Sequence, residues 1–256
     1  MDKKELLDFI KNSGHAVTEE AEDAAGQLLE ILEAQKQNLE DITAVLEWLE
    51  KKRKAYKVNV CEVGMKDLDK WRVHPETGHI FHETGKFFSV VGVKVEGAEG
   101  REVVSWTQPM IKQEECGILG ILCKKINGVM HYLLYAKYEP GTIAGLQLSP
   151  TLQATESNLR QAHGGKKPLF AKYFEGGAST GSAQGSKGRR VVNVVEVEDP
   201  GRFYHKTNRC MIVEVPEGEE VDVPEDYIWL TLPQIKKLLA LDNTVNSLAR
   251  CVFGSR

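Results

Sequence analysis

The stretch that organises the predicted fold is residues 135–165, which read YAKYEPGTIAGLQLSPTLQATESNLRQAHGG. It begins where an alternating apolar strand, predicted at residues 131–139, ends. Because successive side chains of a strand point to opposite faces, Lys137 and Glu139 point the same way. Pro140 and Gly141 then end this strand, since proline cannot donate a ladder hydrogen bond and glycine accepts the torsions of a turn.

The remainder of the stretch is rich in polar side chains. A second strand, predicted at residues 146–153, carries Gln147, Ser149, Thr151 and Gln153 on one face. Thr155, Ser157, Asn158, Arg160 and His163 follow it. Amide, hydroxyl and cationic groups in this number suit a ligand with many phosphate and hydroxyl oxygens.

Six segments of the chain resemble, in order, the NDP-hexose 2,3-dehydratases of deoxysugar biosynthesis. They are HETGKFFSV at residues 82–90, WTQP at 106–109, AKYEPG at 136–141, LSPTLQATESN at 148–158, TNRCMIVE at 207–214 and YIWLTLPQI at 227–235. The resemblance extends over roughly residues 46–253. It implies an α+β fold, in which a Nudix-like mixed β-sheet module is flanked by helices and binds a thymidine-diphosphate (TDP) sugar.

The resemblance also implies a reaction. The carbonyl at carbon 4 of a TDP-4-keto-6-deoxyhexose acidifies the proton on carbon 3, so a base can remove it while an acid assists loss of the carbon 2 hydroxyl. The enol that forms tautomerises to a 3,4-diketo sugar, and the reaction therefore requires no redox cofactor. Family members usually carry two modules in tandem, so for this chain a homodimer of single modules is expected.

Three residues are the candidate acid and base groups. Glu139 is predicted to be the base, Lys137 to stabilise the enolate or protonate the leaving hydroxyl, and His163 to be a reserve acid or base. The alternative for Lys137 and Glu139 is a structural ion pair at a strand end. The alternative for His163 is an ordinary loop position.

Further residues are predicted to bind the substrate. Arg160 and Arg209 suit the diphosphate because a forked guanidinium matches phosphate oxygens. Trp106 is predicted either to stack on the thymine ring or to be a core tryptophan. His82 is either a ligand contact or, as we prefer, a structural histidine. The base and sugar hydroxyls are assigned to Gln108, Gln153, Thr155 and Asn158.

The N-terminal region is predicted to be helical. Apolar residues recur at alternating steps of three and four from residue 25 to residue 49, with Gln35 as one polar member. This seam belongs either to one or two helices, broken near Asn38, that lie on the domain's own core, or to a subunit contact. We therefore divide the chain into a helical extension at residues 1–54, with a possible dimerisation helix, and a sugar-nucleotide-binding module at residues 55–256.

Composition excludes several classes of function. A formal net charge of −4 argues against a nucleic-acid surface. The five cysteines form no CxxC pair and no zinc spacing, which is typical of a reduced cytoplasmic protein. No apolar run predicts a membrane span, and no signal peptide is predicted.

Nudix hydrolases hold their metal ions with a glutamate-rich helix. Residues 153–158 occupy the corresponding position in this sequence and contain one acid, so no metal site is predicted.

Three local predictions complete the reading. Asn127 and Gly128 predict a hairpin turn. Residues 199–208 predict a short helix. The glycine-rich segment at residues 176–188 predicts a mobile loop, whose basic end could alternatively close over a diphosphate.

A second class of function stays open, in which the chain is a non-catalytic TDP-sugar-binding module or scaffold.

Overall fold

The computed structural model describes residues 2–159, 167–175, 188–216 and 218–256. The chain begins with the helices α1 (Lys3–Asn12), α2 (Glu19–Lys36) and α3 (Thr43–Ala55). Thr18 caps α2, as its side chain accepts a hydrogen bond from the Ala21 N–H at 3.3 Å. Beyond α2, Asn38 has a left-handed φ of 55°, so the apolar seam is divided between two helices, as the first alternative predicts.

The seam packs on the domain's own core over part of its length. Ala25 in α2 and Leu49 in α3 are buried, and Leu49 lies in the same apolar cluster as the central strands. Leu28 and Leu32 of α2 are 43% and 40% exposed. The seam therefore leaves two leucines in solvent, and the domain division at residue 54 stays a prediction.

The strands, in chain order, are β1 (Trp71–Val73), β2 (Ile80–His82), β3 (Ser89–Val95), β4 (Trp106–Lys112), β5 (Gly117–Ile126), β6 (Val129–Lys137), β7 (Gln147–Ser149), β8 (Leu152–Thr155), β9 (Arg189–Val197), β10 (Phe203–Tyr204), β11 (Thr207–Glu214) and β12 (Tyr227–Thr231). The remaining helices are a 3₁₀ turn at Met65–Asp67, then α4 (Glu156–Leu159), α5 (Ala171–Phe174), α6 (Leu232–Leu239) and α7 (Ser247–Gly254). Asn127, with φ 50°, and Gly128, with φ 81°, form the predicted turn between β5 and β6.

The described strands form two mixed sheets. The smaller sheet has the order β1-β2-β3-β4-β10, and β10 runs parallel to β4. The larger sheet has the order β12-β6-β5-β11-β9, and β11 runs parallel to β5. With helices packed against the larger sheet, the predicted α+β class with a mixed sheet flanked by helices is confirmed.

The larger sheet contains a fork, in which β7 and β8 separate β5 from β6. Residues 117–120 of β5 pair with β8, whereas residues 122–126 pair with β6. Thr151, between β7 and β8, is buried at the point of the fork. Its hydroxyl accepts a hydrogen bond from the Leu122 N–H at 3.0 Å and donates one to the Leu133 carbonyl. One side chain thus satisfies the backbone groups left unpaired where the two strands part.

The larger sheet is buried on both faces. One face packs against α3, α6 and α7 through residues such as Ile121 and Leu134. The other face packs against α5 through residues such as Leu122 and Met211. The near-continuous burial of β5 follows, because a strand covered on both faces reads as an apolar run rather than as an alternation.

The helix predicted at residues 199–208 is wrong. Residues 199–202 form a turn, closed by the Asp199 carboxylate, which accepts a hydrogen bond from the Gly201 N–H at 3.0 Å. Phe203 and Tyr204 then pair with Ile111 and Lys112 of β4. Pairing with a strand about ninety residues earlier in the chain therefore overrides the local preference of this segment.

Candidate functional site

A cleft of about 430 Å³ lies where the two sheets meet, at the ends of β4, β5, β6, β8 and β11. Its polar lining residues come from separate elements of the fold and are Gln113, Lys137, Gln153, Thr155, Asn158, Glu198, Lys206 and Asn208. Its apolar lining includes Phe88, Ile111, Phe203 and Leu248. The mixture of apolar walls and a few converging polar groups is typical of a small-molecule site.

Lys137 lines one side of this cleft, and Glu139 pairs with Lys137 without itself belonging to the lining. Lys137 is the last residue of β6 and Glu139 lies two residues beyond its end, and the two side chains meet on the same side. The Lys137 Nζ lies 2.5 Å from the Glu139 Oε1. The fork places β8 beside this pair, and the Lys137 Nζ donates a hydrogen bond of 2.8 Å to the Gln153 Oε1. Lys137 is therefore in contact with two other predicted site residues.

Thr155 and Asn158 extend the polar lining beyond β8. Thr155 pairs with Gly117 of β5, and Asn158 lies in the short helix α4 that follows. The Asn158 N–H donates a hydrogen bond of 3.4 Å to the Thr155 hydroxyl. These two residues share the cleft with Lys137 and Gln153, as the sequence predicts.

Lys206, Asn208 and Glu198 form the opposite side of the cleft, and the sequence reasoning missed all three. The Asn208 Nδ2 donates a hydrogen bond of 2.9 Å to the Glu198 Oε2. The Lys206 Nζ donates one of 2.5 Å to the Glu115 carbonyl, and burial lowers the pKa of this ammonium below its ordinary value. The available signal was the TNRCMIVE segment, which contains Asn208 and directly follows Lys206.

Trp106 and Gln108 are not brought into the cleft. They lie on the face of β4 opposite Ile111, because residues of even and odd number point in opposite directions along this strand. The Trp106 Nε1 donates a hydrogen bond of 2.7 Å to the Gln108 Oε1, and the Gln108 Nε2 donates one of 3.0 Å to the Gly201 carbonyl. Their contact with a substrate base stays a prediction.

Arg209 and His82 also lie outside the cleft lining. Arg209 points to the face of β11 opposite Asn208 and donates a hydrogen bond of 3.1 Å to the Asn193 Oδ1. The His82 Nδ1 lies 2.8 Å from the Thr84 hydroxyl, and its ring packs at 4.5 Å from the Phe87 ring. These contacts favour the structural alternative for His82. Arg160 and His163 fall outside the described residues, as does most of the glycine-rich segment.

Two general features of the described part of the chain bear on the class of site. No group of three histidine, cysteine, aspartate or glutamate side chains placed to hold a metal ion occurs within it. None of its helices combines the length and apolarity that crossing a lipid bilayer requires.

Relatives with assigned functions match most of this chain. A 2,3-dehydratase of dTDP-4-dehydro-6-deoxy-α-D-glucopyranose from Saccharopolyspora spinosa is 47% identical over 187 residues, covering 73% of the chain and 36% of that protein. The enzyme of the same name from Amycolatopsis orientalis is 40% identical over 224 residues, covering 84% of the chain and 44% of that protein. The chain thus spans less than half the length of these two relatives.

Solved structures show weaker likenesses. The crystal structure of ADP compounds hydrolase matches with a TM-score of 0.40 and 14% identity, covering 65% of this chain and 83% of that one. The C. elegans Ap4A hydrolase matches with a TM-score of 0.34 and 13% identity, covering 56% and 97%. Both TM-scores are too low for these structures to bear on the function of this chain.

The family comparison covers the cleft completely. The model of the family described as NDP-hexose 2,3-dehydratase matches residues 42–255, which include all the lining residues named above. With 35% to 47% identity to three dehydratases of that name in addition, the chain belongs to the NDP-hexose 2,3-dehydratase family.

Proposed function

We propose that this chain is a sugar-nucleotide 2,3-dehydratase, which eliminates water across carbons 2 and 3 of a TDP-4-keto-6-deoxyhexose. The observation that carries the proposal is the position of Lys137, which lines a cleft of substrate size in a member of this family and contacts both Glu139 and Gln153. A carboxylate beside an ammonium supplies a proton acceptor and a cation, which are the two kinds of group that an elimination next to a ketone requires.

In the proposed mechanism, Glu139 removes the proton from carbon 3. The electron pair of that C–H bond forms a carbon 3–carbon 4 double bond, and the carbonyl electrons move to the oxygen on carbon 4. When this carbonyl re-forms, a double bond forms between carbons 2 and 3, and the carbon 2 hydroxyl leaves as water after taking a proton from Lys137. The enol then tautomerises to the 3,4-diketo sugar, and the reaction involves no net oxidation or reduction.

Gln153 has a positioning role in this mechanism. Its Oε1 accepts a hydrogen bond from Lys137, which holds the ammonium between the amide and the Glu139 carboxylate. A lysine side chain has a flexible four-carbon stem, and contact with two partners reduces its conformational freedom before the substrate binds. Thr155 and Asn158, on the same side of the cleft, supply a hydroxyl and an amide for the sugar hydroxyls.

The experiment incubates the protein with TDP-4-keto-6-deoxyglucose in heavy water and follows the sugar by mass spectrometry and NMR. A 3-ketoreductase with reduced nicotinamide traps the diketone as it forms. We expect the wild type to lose water and Glu139→Gln to lose about 10²–10⁴-fold in kcat, because the amide cannot accept the carbon 3 proton. Deuterium exchange at carbon 3 should fall by the same factor.

The chain offers a matched control for this substitution. Lys94 and Glu96 have the same spacing at the end of β3 and form an ion pair of 2.7 Å, in which both side chains are exposed. Glu96→Gln should retain wild-type turnover. Equal turnover in Glu139→Gln and Glu96→Gln would reject Glu139 as the base and support the structural ion pair.

The second candidate is a TDP-sugar-binding module or scaffold without catalytic activity. It is favoured by one observation, which is that Glu139, the proposed base, is not among the residues that line the cleft. Binding of the TDP-sugar by calorimetry, with neither water loss nor deuterium exchange, would establish this candidate in place of the dehydratase.

We further propose that two copies of the chain form a homodimer in the cytoplasm. The exposed Leu28 and Leu32 on α2 support a contact between copies, since exposed leucines on adjacent turns of one helix form an apolar patch. The cysteines of the described residues are free thiols, which is consistent with a reducing compartment.

A further inference from the structure

Lys206 occupies an unusual position for a lysine. It directly precedes β11 and follows His205, whose φ of 58° turns the chain between β10 and β11. The turn directs Lys206 inward, so that the residue is only 3% exposed and yet lines the cleft. Lysines are almost never buried to this extent without a charged partner.

Among the residues that the structure describes, the ammonium of Lys206 has one hydrogen-bond acceptor. It donates to the Glu115 carbonyl, although an ammonium carries three donors. Within the described ranges, no carboxylate forms an ion pair with it at 4.0 Å or less. Glu198 favours the charged form at longer range, but burial outweighs this effect and the pKa of Lys206 is lowered. A buried cation with donors that no described residue accepts is a suitable partner for an anion.

The space in front of this ammonium is kept open by a glycine. A Cβ built on Gly117 would lie 3.8 Å from the Lys206 Nζ and 2.1 Å from the Asn208 Oδ1. Any side chain at position 117 would therefore occupy the corner between these two groups. The hydrogen bond from the Asn208 Nδ2 to Glu198 leaves the Asn208 Oδ1 turned toward this corner.

We propose that Lys206 is an oxyanion-binding residue of the cleft, which pairs with an oxygen of the substrate that carries negative charge. This inference rests on the proposed function for its substrate. Two oxygens have the required chemistry: the oxygen on carbon 4, as the base converts the ketone to an enolate, and a phosphate oxygen of the diphosphate. In either case Lys206 stays protonated and stabilises charge without transferring a proton.

The test compares Lys206→Met with the wild type and with Lys94→Met, a control at an exposed lysine. Methionine keeps an unbranched side chain of similar length and removes the buried charge, so we expect the fold to persist in thermal unfolding. Calorimetry measures the affinities for TDP and TDP-4-keto-6-deoxyglucose. Steady-state assays give kcat and KM, and NMR in heavy water gives exchange at carbon 3.

The two oxygens give different results. If the enolate is the ligand, kcat and carbon 3 exchange should fall about 10²–10³-fold, as when an oxyanion-hole donor is removed, while TDP affinity changes less than about twofold. If the diphosphate is the ligand, TDP affinity should fall by about tenfold or more and kcat should change little. Either result supports an oxyanion-binding role. The inference would be overturned if kcat, carbon 3 exchange and TDP affinity of Lys206→Met were all within about twofold of the values for Lys94→Met.

The design separates this inference from the proposed function. If the wild type neither dehydrates nor exchanges, the dehydratase proposal fails, and the affinities of Lys206→Met for TDP and the TDP-sugar still decide the role of Lys206. If Lys206→Met does not fold, reductive methylation of the wild type replaces it. Saturating TDP-4-keto-6-deoxyglucose should slow labelling of Lys206 about fivefold and leave Lys94 unchanged, because an ammonium paired with a ligand oxygen is withdrawn from the reagent. Equal labelling of Lys206 with and without ligand would overturn the inference.

Discussion

Two glycines of β5, Gly117 and Gly120, are required for different physical reasons. A Cβ at Gly117 would meet the amide end of Asn208, which is a flexible polar side chain inside the cleft. A Cβ at Gly120 would lie 2.3 Å from the Phe174 ring, which is buried in the core. The first glycine is therefore required by the cleft, and the second by packing.

Gly117→Ala should impair function more than stability. Asn208 can rotate away from the new methyl group and lose its hydrogen bond to Glu198, which costs about 1 kcal/mol. The loss is partly offset by the lower conformational freedom of alanine in the unfolded chain. We expect the free energy of unfolding, measured in urea, to change by less than about 1 kcal/mol, while turnover of the TDP-keto-sugar falls about tenfold or more.

Gly120→Ala is the contrasting variant and Gly92→Ala the neutral one. The rigid Phe174 ring cannot leave its site, so Gly120→Ala should lower the free energy of unfolding by about 1–3 kcal/mol. A Cβ at Gly92 in β3 meets nothing within 4 Å. Gly92→Ala should therefore leave both the free energy of unfolding and the turnover unchanged. A loss of stability in Gly117→Ala as large as that in Gly120→Ala would contradict the assignment of Gly117 to the cleft.

At the same scale, sequence reasoning predicted some site residues and missed others for identifiable reasons. The contact of Lys137 with Glu139 was predicted from alternation along residues 131–139, and the two side chains do meet, although β6 ends at Lys137. Alternation also places Trp106 and Gln108 on one face, but it does not tell which face of β4 borders the cleft. Lys206 was missed because its burial depends on Glu115, which is far away in the sequence.

At the scale of elements, the fork between β5 and β6 depends on the Thr151 hydroxyl. Thr151→Val keeps the shape of the side chain and leaves the Leu122 N–H and the Leu133 carbonyl without a partner. Each unsatisfied buried group costs about 1–3 kcal/mol, so we expect the free energy of unfolding to fall by about 2–4 kcal/mol in urea denaturation. Thr107→Val, at an exposed position of β4, is the control and should change it by less than about 0.5 kcal/mol.

Elements determined by local signals were predicted better than those determined by distant partners. The Thr18 cap and the Asn127 turn are encoded in a few neighbouring residues, and the turn was predicted correctly. The segment at residues 199–208 was wrongly predicted as a helix. Its strand β10 is formed by pairing with β4, and the residues of the segment itself carry no signal of that pairing. The fork likewise could not be predicted, since it requires two strands to exchange partners at one threonine.

At the scale of the whole molecule, the N-terminal helices are attached to the sheet by polar as well as apolar contacts. Arg53 of α3 donates hydrogen bonds to the carbonyls of Leu146 and Asn243, at 2.9 Å and 3.0 Å. The Glu30 carboxylate of α2 pairs with Arg256 and accepts a hydrogen bond from the Tyr132 hydroxyl at 2.7 Å. The helices therefore approach the strands in one fixed orientation, with Leu28 and Leu32 outward.

The proposed homodimer makes a prediction at this scale. Replacing both Leu28 and Leu32 with glutamate should convert a dimer to a monomer, because four carboxylates, two from each copy, would then face one another across the contact. Light scattering measures the mass, and circular dichroism should show an unchanged fold, since both positions are exposed. Val60→Glu, at an exposed residue outside the helices, should stay dimeric. A wild-type mass equal to one chain would contradict the dimer.

The fork also has a consequence for how this family can vary in length. Lys137 is held by β6, and Gln153 by the pairing of β8 with β5, so their separation is determined by strand pairing rather than by the connection between β6 and β7. Insertions and deletions after Glu139, at residues 140–146 of that connection, should leave the acid–base groups in place. A single residue added between β7 and β8 would instead shift Thr151 from the fork and reverse the faces of β8. Natural length polymorphism should therefore concentrate at residues 140–146 and be absent between residues 147 and 155.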